Sequence, residues 1–316
     1  MKKSIYTRAI FLLIACCLFF IANTFSQGTR LWATYYGGTG MEFGHNATTD
    51  AGGNVYLAGF TASVSGIASG GFQNTIDGGG GGLENDAFLV KFNNAGVRQW
   101  ATYYGGIGAE GGYSVATDAS GNVYLGGFTN SPSGIASGGF QNTLAGANDA
   151  FLVKFNNAGV RQWATYYGGT GEDYGNNVAT DPSGNVYMGG RTASTTGIAS
   201  GGFQNTYGGG ANDAFLVKFN SVGVRQWATY YGGTGDEGGF SWDIAFVATD
   251  ASDNVYLSGY TDSPSGIASG GWQNTLGGGI DAFLIKFNNA GVRQWATRRS
   301  RALSHPAPRR RHPADA

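Results

Sequence analysis

Two pairs of adjacent carboxylates, Glu172-Asp173 and Asp236-Glu237, stand in glycine-rich segments of this 316-residue chain. Such loops also offer Asn side chains and main-chain carbonyls, an all-oxygen donor set of the kind Ca²⁺ takes about six to eight at a time. Calcium is the one cofactor such a set admits, with Glu172, Asp173, Asp236 and Glu237 as its ligands, but neither an EF-hand spacing nor a nine-residue calcium repeat accompanies them. The favoured reading is that these carboxylates solvate a Gly-rich surface and cap turns, with no cofactor. Paired carboxylates also cleave glycosides, but neighbours on one loop do not set two carboxyl groups across a bond. His45 is the only histidine between residues 27 and 297, too few for a His-rich metal site. No Ser-His-Asp order, HExxH motif or phosphate-binding loop is present, so no catalytic residue is assigned.

A single ligand site needs asymmetry, and most of the acidic residues are repeated. Asp50, Asp118, Asp181 and Asp250 recur at one position of an internal repeat, and Asp86, Asp149, Asp213 and Asp281 at another. A residue needed in every copy fixes a turn rather than performs a reaction. Departures between copies are few. Arg191 stands where the other copies have Phe60, Phe128 and Tyr260, and the segment around residues 239–243 is five residues longer than its counterparts. Arg191, Trp242 and Asp243 would combine a stacking surface with charge-assisted hydrogen bonds, which suits a sugar or a peptide. Drift among duplicated units is the competing explanation.

The elements that position these residues follow from the repeat. Trp-Ala-Thr begins at Trp32, Trp100, Trp163, Trp227 and Trp295, at intervals of 68, 63, 64 and 68 residues, and four of the copies continue into Tyr-Tyr-Gly-Gly. Fixed-period similarity means one supersecondary unit copied in series, each copy burying its apolar surface against its neighbours. In the second copy, Val115-Ala-Thr, Val123 to Thr129, Ala150 to Phe155 and Val160 to Tyr167 read as four strands joined as a meander. Strands 3 and 4 carry bulk on both faces, as in a sheet covered on both sides. The expected fold is all-β: a β-propeller of four-stranded antiparallel blades at about 44–104, 112–167, 175–231 and 243–297, with an extra N-terminal strand at 31–36. Five Trp strands for four meanders leave one surplus, so either one copy is displaced or the chain is a piece of a larger ring. The short turns leave from one end of each blade and the long loops, with most remaining carboxylates, from the other, so the long-loop face is where binding is expected.

Tyr166-Tyr-Gly-Gly-Thr-Gly-Glu-Asp-Tyr-Gly175, Val178 to Gly190, Gly202 to Gly210 and Asp213 to Asn220 occur in this order. Together they resemble the bacterial seven-bladed β-propeller (SBBP) repeat, over nearly all of residues 31–297. Ser-Gly-Ile-Ala-Ser at 65–69, 133–137 and 265–269, with Thr196 leading at 196–200, takes the place of the Asp-Phe-Pro segment common in that family. The resemblance implies an exported bacterial propeller and no general activity.

Residues 1–26 have the form of an export signal: Lys2, Lys3 and Arg8 precede an apolar stretch, with small residues before Gln27. Secretion or display at the cell surface is expected, with no integral span after cleavage; lipidation of Cys16 is the alternative. Cys16 and Cys17 are the only cysteines, so the body can form no disulfide. From residue 298 the repeat gives way to Arg, Pro and His, read as a disordered basic tail or an artefact. Residues 27–297 hold ten Lys and Arg against 19 Asp and Glu, a net charge near −9 that argues against nucleic-acid partners. The expected function is an exported, non-catalytic scaffold or binding module for protein or polysaccharide. The alternative is a secreted glycan-active hydrolase or lyase using loop carboxylates.

Overall fold

The computed structural model describes residues 31–77, 85–237 and 245–300. Residues 1–26, the tail from residue 301, and Trp242 with Asp243 lie outside them. Sixteen strands and no helix are present among the described residues. They form four antiparallel sheets, each taking its strands in chain order. The first is β1 (Glu42–Thr49), β2 (Val55–Thr61), β3 (Asp86–Phe92) and β4 (Arg98–Tyr104). The second is β5 (Glu110–Thr117), β6 (Val123–Thr129), β7 (Asp149–Phe155) and β8 (Arg161–Tyr167), and the third β9 (Asp173–Thr180), β10 (Val186–Thr192), β11 (Asp213–Phe219) and β12 (Arg225–Tyr231). The fourth is β13 (Ala245–Thr249), β14 (Val255–Thr261), β15 (Asp281–Phe287) and β16 (Arg293–Ser300).

Two expectations about the ends are corrected. Residues 31–34 belong to a unit separate from the body Tyr35–Ala316, and residues 31–38 form no strand. Each third strand is already paired on its outer side by its own fourth strand, and the outer edge of that fourth strand is bridged by the sheet's own 2–3 loop, as Ala101 is by Ser69. The last strand also runs past the expected break at residue 298, because β16 stays paired with β15 through Ser300. Arg298 is buried there and donates to the carbonyl of Ser263, the role that Tyr103, Tyr166 and Tyr230 play toward Ser63, Ser131 and Ser194.

The sheets stack in chain order through their first strands, β1 on β5, β5 on β9 and β9 on β13. Strands β3, β7 and β11 are buried at every position. Three junctions repeat one set of contacts. The indole of Trp100, Trp163 or Trp227 donates to the main-chain carbonyl of Asn157, Ser221 or Asn289 in the next sheet's 3–4 turn, at 3.0, 3.1 and 2.9 Å. A lysine of strand 3 (Lys91, Lys154 or Lys218) reaches the same carbonyl. The turn must be close and left-handed, which selects glycine: Gly159 has φ 79°, and a Cβ on it would lie 2.9 Å from the Trp100 ring. The second tyrosine of each pair crosses to the following sheet, as when Tyr167 packs on Phe215 and Phe219 and donates to the carbonyl of Ile198.

Candidate functional site

The repeated carboxylates hold the scaffold together. Asp118 accepts from the backbone of Ser120 and Asn122, the Asn122 amide and the Tyr124 hydroxyl, with Lys154 4.0 Å away. Asp50, Asp181 and Asp250 make the same turn. At the long-loop end, Glu110 accepts from Thr129 at 2.5 Å and the Gly106 amide at 3.0 Å. Asp173 does so from Ser194 and Gly169, and Glu237 from Thr261 and Gly233. Facing them are Asp86, Asp149 and Asp213; these three and the equivalent Asp281 of the last sheet are all buried and tied to the 2–3 loops. A Cβ on Gly232 would meet Asp213 Oδ1 at 2.2 Å and Glu237 Oε2 at 2.6 Å, so the two carboxyl groups border one glycine. Burial pushes Asp86 up to about 8, Asp213 to about 7 and Asp173 to about 6, and raises Glu110, Asp149 and Glu237.

The four candidate calcium ligands are divided between two environments. Asp173 and Glu237 turn inward to these staples. Glu172 is exposed beside the Tyr174 hydroxyl, and Asp236 accepts from the Ala211 amide. No three His, Cys, Asp or Glu side chains converge on a metal position among the described residues.

What the sheets do assemble is a strip of aromatic rings at the long-loop mouth of the inner strands. Ring centres are 4.9 Å apart for Phe43 and Phe60, 5.3 Å for Phe60 and His45, and 5.1 Å for His45 and Tyr113. The strip continues from Tyr113 to Phe128 at 5.4 Å and from Phe128 to Tyr174 at 5.2 Å, and ends with the Arg191 guanidinium 4.3 Å over Tyr174. His45 and Phe43 are exposed, and the other five are half-buried. Burial raises the Tyr174 phenol, with Glu172 adding to the rise and Arg191 opposing it.

A backbone irregularity aims these side chains. His45 and Tyr113 are the unpaired residues of β-bulges in β1 and β5, and Asn176 holds that place in β9. A bulge inserts one residue and redirects its side chain. The displaced strand pushes a carbonyl into the space where the opposite residue would carry a Cβ, so that residue is glycine: a Cβ on Gly127 would stand 1.7 Å from Gly111 O. Gly127→Ala is therefore expected to cost about 3 kcal/mol or more and to displace Tyr113. Urea titration reads the first effect, and the near-ultraviolet aromatic signal reads the second.

Arg191 thus lies in the strip, with Glu172 at its margin through Tyr174, whereas Trp242 and Asp243 fall outside the described residues. The sequence reading missed Phe43, Phe60, Tyr113, Phe128 and Tyr174 as one feature. The available signal was the Ala58-Gly59, Gly126-Gly127 and Gly189-Gly190 pairs of strand 2, each of which stands opposite the bulge of strand 1.

The family model described as β-propeller repeat (SBBP) matches residues 99–132 and 162–196. Each match runs from the Trp strand of one sheet through the first two strands of the next, so the sequence repeat straddles a junction. An uncharacterized WD repeat-containing protein of Acanthamoeba polyphaga mimivirus is 28% identical over 328 residues, covering 87% of this chain and 23% of that protein. Regulatory protein FlaEY of Caulobacter vibrioides is 29% identical over 182 residues, covering 57% of this chain and 18% of its own length. The chain spans less than a quarter of either relative. Residues 99–132 and 162–196 are repeats of the SBBP β-propeller family, set in a chain that carries four copies of the same sheet.

Proposed function

We propose that this protein is an exported, non-catalytic binding module that takes an extended ligand, polysaccharide before protein, along the aromatic strip. The reading rests on one observation: aromatic rings continue without a break across three sheets and end at Arg191. Flat faces stack on sugar rings as they do on aromatic side chains, and a guanidinium adds a charge-assisted hydrogen bond at one end. Repeat number and near-identity of the sheets favour a scaffold whose ligand is read at the few positions that differ. Export rests on the leader-like residues 1–26.

The test is a panel of soluble polysaccharides in affinity electrophoresis, with the parent chain beside Tyr113→Ala and Arg191→Ala. Loss of one charge-assisted hydrogen bond at Arg191 is expected to weaken binding about tenfold, since such bonds contribute about 1.5 kcal/mol or more. Retained affinity in both variants, or turnover of a bound glycan, would defeat the reading.

A further inference from the structure

The three internal junctions define a mating pair of faces, and each end of the stack presents one half of that pair. On the forward side, Leu89, Leu152 and Leu216 are 0% exposed under the next sheet, whereas the equivalent Leu284 is 38% exposed. Phe72, Phe140 and Phe203, each about 41–42% exposed, are covered by the guanidinium groups of Arg161, Arg225 and Arg293 from the following sheet, at 4.3, 4.2 and 4.2 Å. Trp272 holds that position in the last sheet and is 92% exposed. Lys286 and Trp295 stand where the junction lysines and indoles clamp the next turn. The opposite half is on the first sheet. Ala47 of β1 is exposed and Val55 and Leu57 are half-buried, although their counterparts Val115, Val123 and Leu125 are buried. Arg98 is exposed at the position of Arg161, Arg225 and Arg293.

We infer that the free face of the fourth sheet receives the first sheet of a second copy of this chain, forming a fourth junction of the kind already present three times. Two features fit a copy. Position 299 is Arg where the crossing tyrosine would stand, and the first sheet supplies that tyrosine itself, with Tyr36 seated on Phe88 and Phe92 and bonded to the carbonyl of Ile67 at 2.8 Å. Trp272 replaces phenylalanine as the platform for Arg98, and indole is the stronger partner for a cation. Phe246 replaces the Asn46, Ser114 and Asn177 acceptors of the inner strands, exchanging one hydrogen bond for 55%-exposed apolar surface that the copy would cover.

Sedimentation velocity of the full chain tests this with Leu284→Lys, which spoils the fourth-sheet face, and Arg98→Glu, which spoils the first-sheet face. Both positions are exposed, and circular dichroism checks that the sheets persist. The parent is expected to associate and each variant alone to lose that association. Mixing the two variants is expected to restore one junction per pair, because each keeps the half that the other lacks. A parent that stays monomeric at the highest concentration reached overturns the inference. So does association that Arg98→Glu leaves intact, which would mean fourth sheet against fourth sheet.

Discussion

Lowering the pH from 8 to 5.5 should raise the melting temperature of this protein, opposite to the acid lability usual for folded chains. The six junction carboxyls Asp86, Glu110, Asp149, Asp173, Asp213 and Glu237 are all raised, chiefly by burial. A carboxyl with a higher pKa folded than unfolded binds its proton more tightly in the fold. Stability is then highest below the unfolded value and falls as pH climbs through the folded one. For Asp213, raised from 3.8 to about 7, the gain between pH 8 and 5.5 is on the order of 2 kcal/mol. Asp86, at about 8, adds in the same sense over the same window. For a chain of this size, about 2 kcal/mol corresponds to roughly 4–8 °C. The opposing carboxylates act lower, whereas Lys91, Lys154 and Lys218, lowered by burial, favour the fold at high pH and offset part of the gain. Asp50 and Asp250 are lowered by turn hydrogen bonds, Asp250 to about 2, and they favour the fold until the pH drops below about 4. An optimum near pH 5 is therefore expected in a calorimetric series. Asp86→Asn can accept from Gln73 and Asp77 as the aspartate does, and it should lift stability at pH 8 while flattening the upper part of the curve. A melting temperature that falls on acidification from pH 8 would refute the account.

These staples also show what a sequence can and cannot disclose. The copied Trp-Ala-Thr-Tyr-Tyr strand made the four sheets and their two-sided burial legible, because apolar alternation and turn chemistry are local properties. Asp86, Asp149, Asp213 and Asp281 were read as structural on repetition alone, and all four lie buried at strand starts bound to loop amides or side chains. The split between Glu172 and Asp173 was not visible. Adjacent residues on a strand point to opposite faces, so chain proximity brought together a surface carboxylate and a buried one. The aromatic strip was hidden for a related reason. His45 and Tyr113 join it only because each occupies a bulge, which shifts register by one and overrides the period-2 pattern from which their faces would be read.

Trp163→Ala should be among the most damaging single changes to the body, lowering stability by about 3–5 kcal/mol and the melting temperature by roughly 10 °C or more. The indole is buried between Tyr124 and Phe219, donates to Ser221 O at 3.1 Å and forms the wall against which the Gly223 turn closes. Its removal opens a cavity at the junction of the second and third sheets and leaves the Ser221 carbonyl to Lys154 alone. Trp163→Phe separates these contributions: most apolar area remains while the hydrogen bond is lost, for an expected cost of about 1–2 kcal/mol. Trp295→Ala supplies the positional control. It removes the same side chain where no further sheet follows among the described residues and the ring is half-buried, so a much smaller loss is expected in dilute solution. The difference between the two positions measures the worth of a junction directly, because the residue, its strand and its partner on the same sheet (Tyr124 or Tyr256) are otherwise matched. If Trp295→Ala proved as costly as Trp163→Ala under conditions where the chain is monomeric, the stabilisation would reside within each sheet, and the stack would not be a set of mutually dependent units.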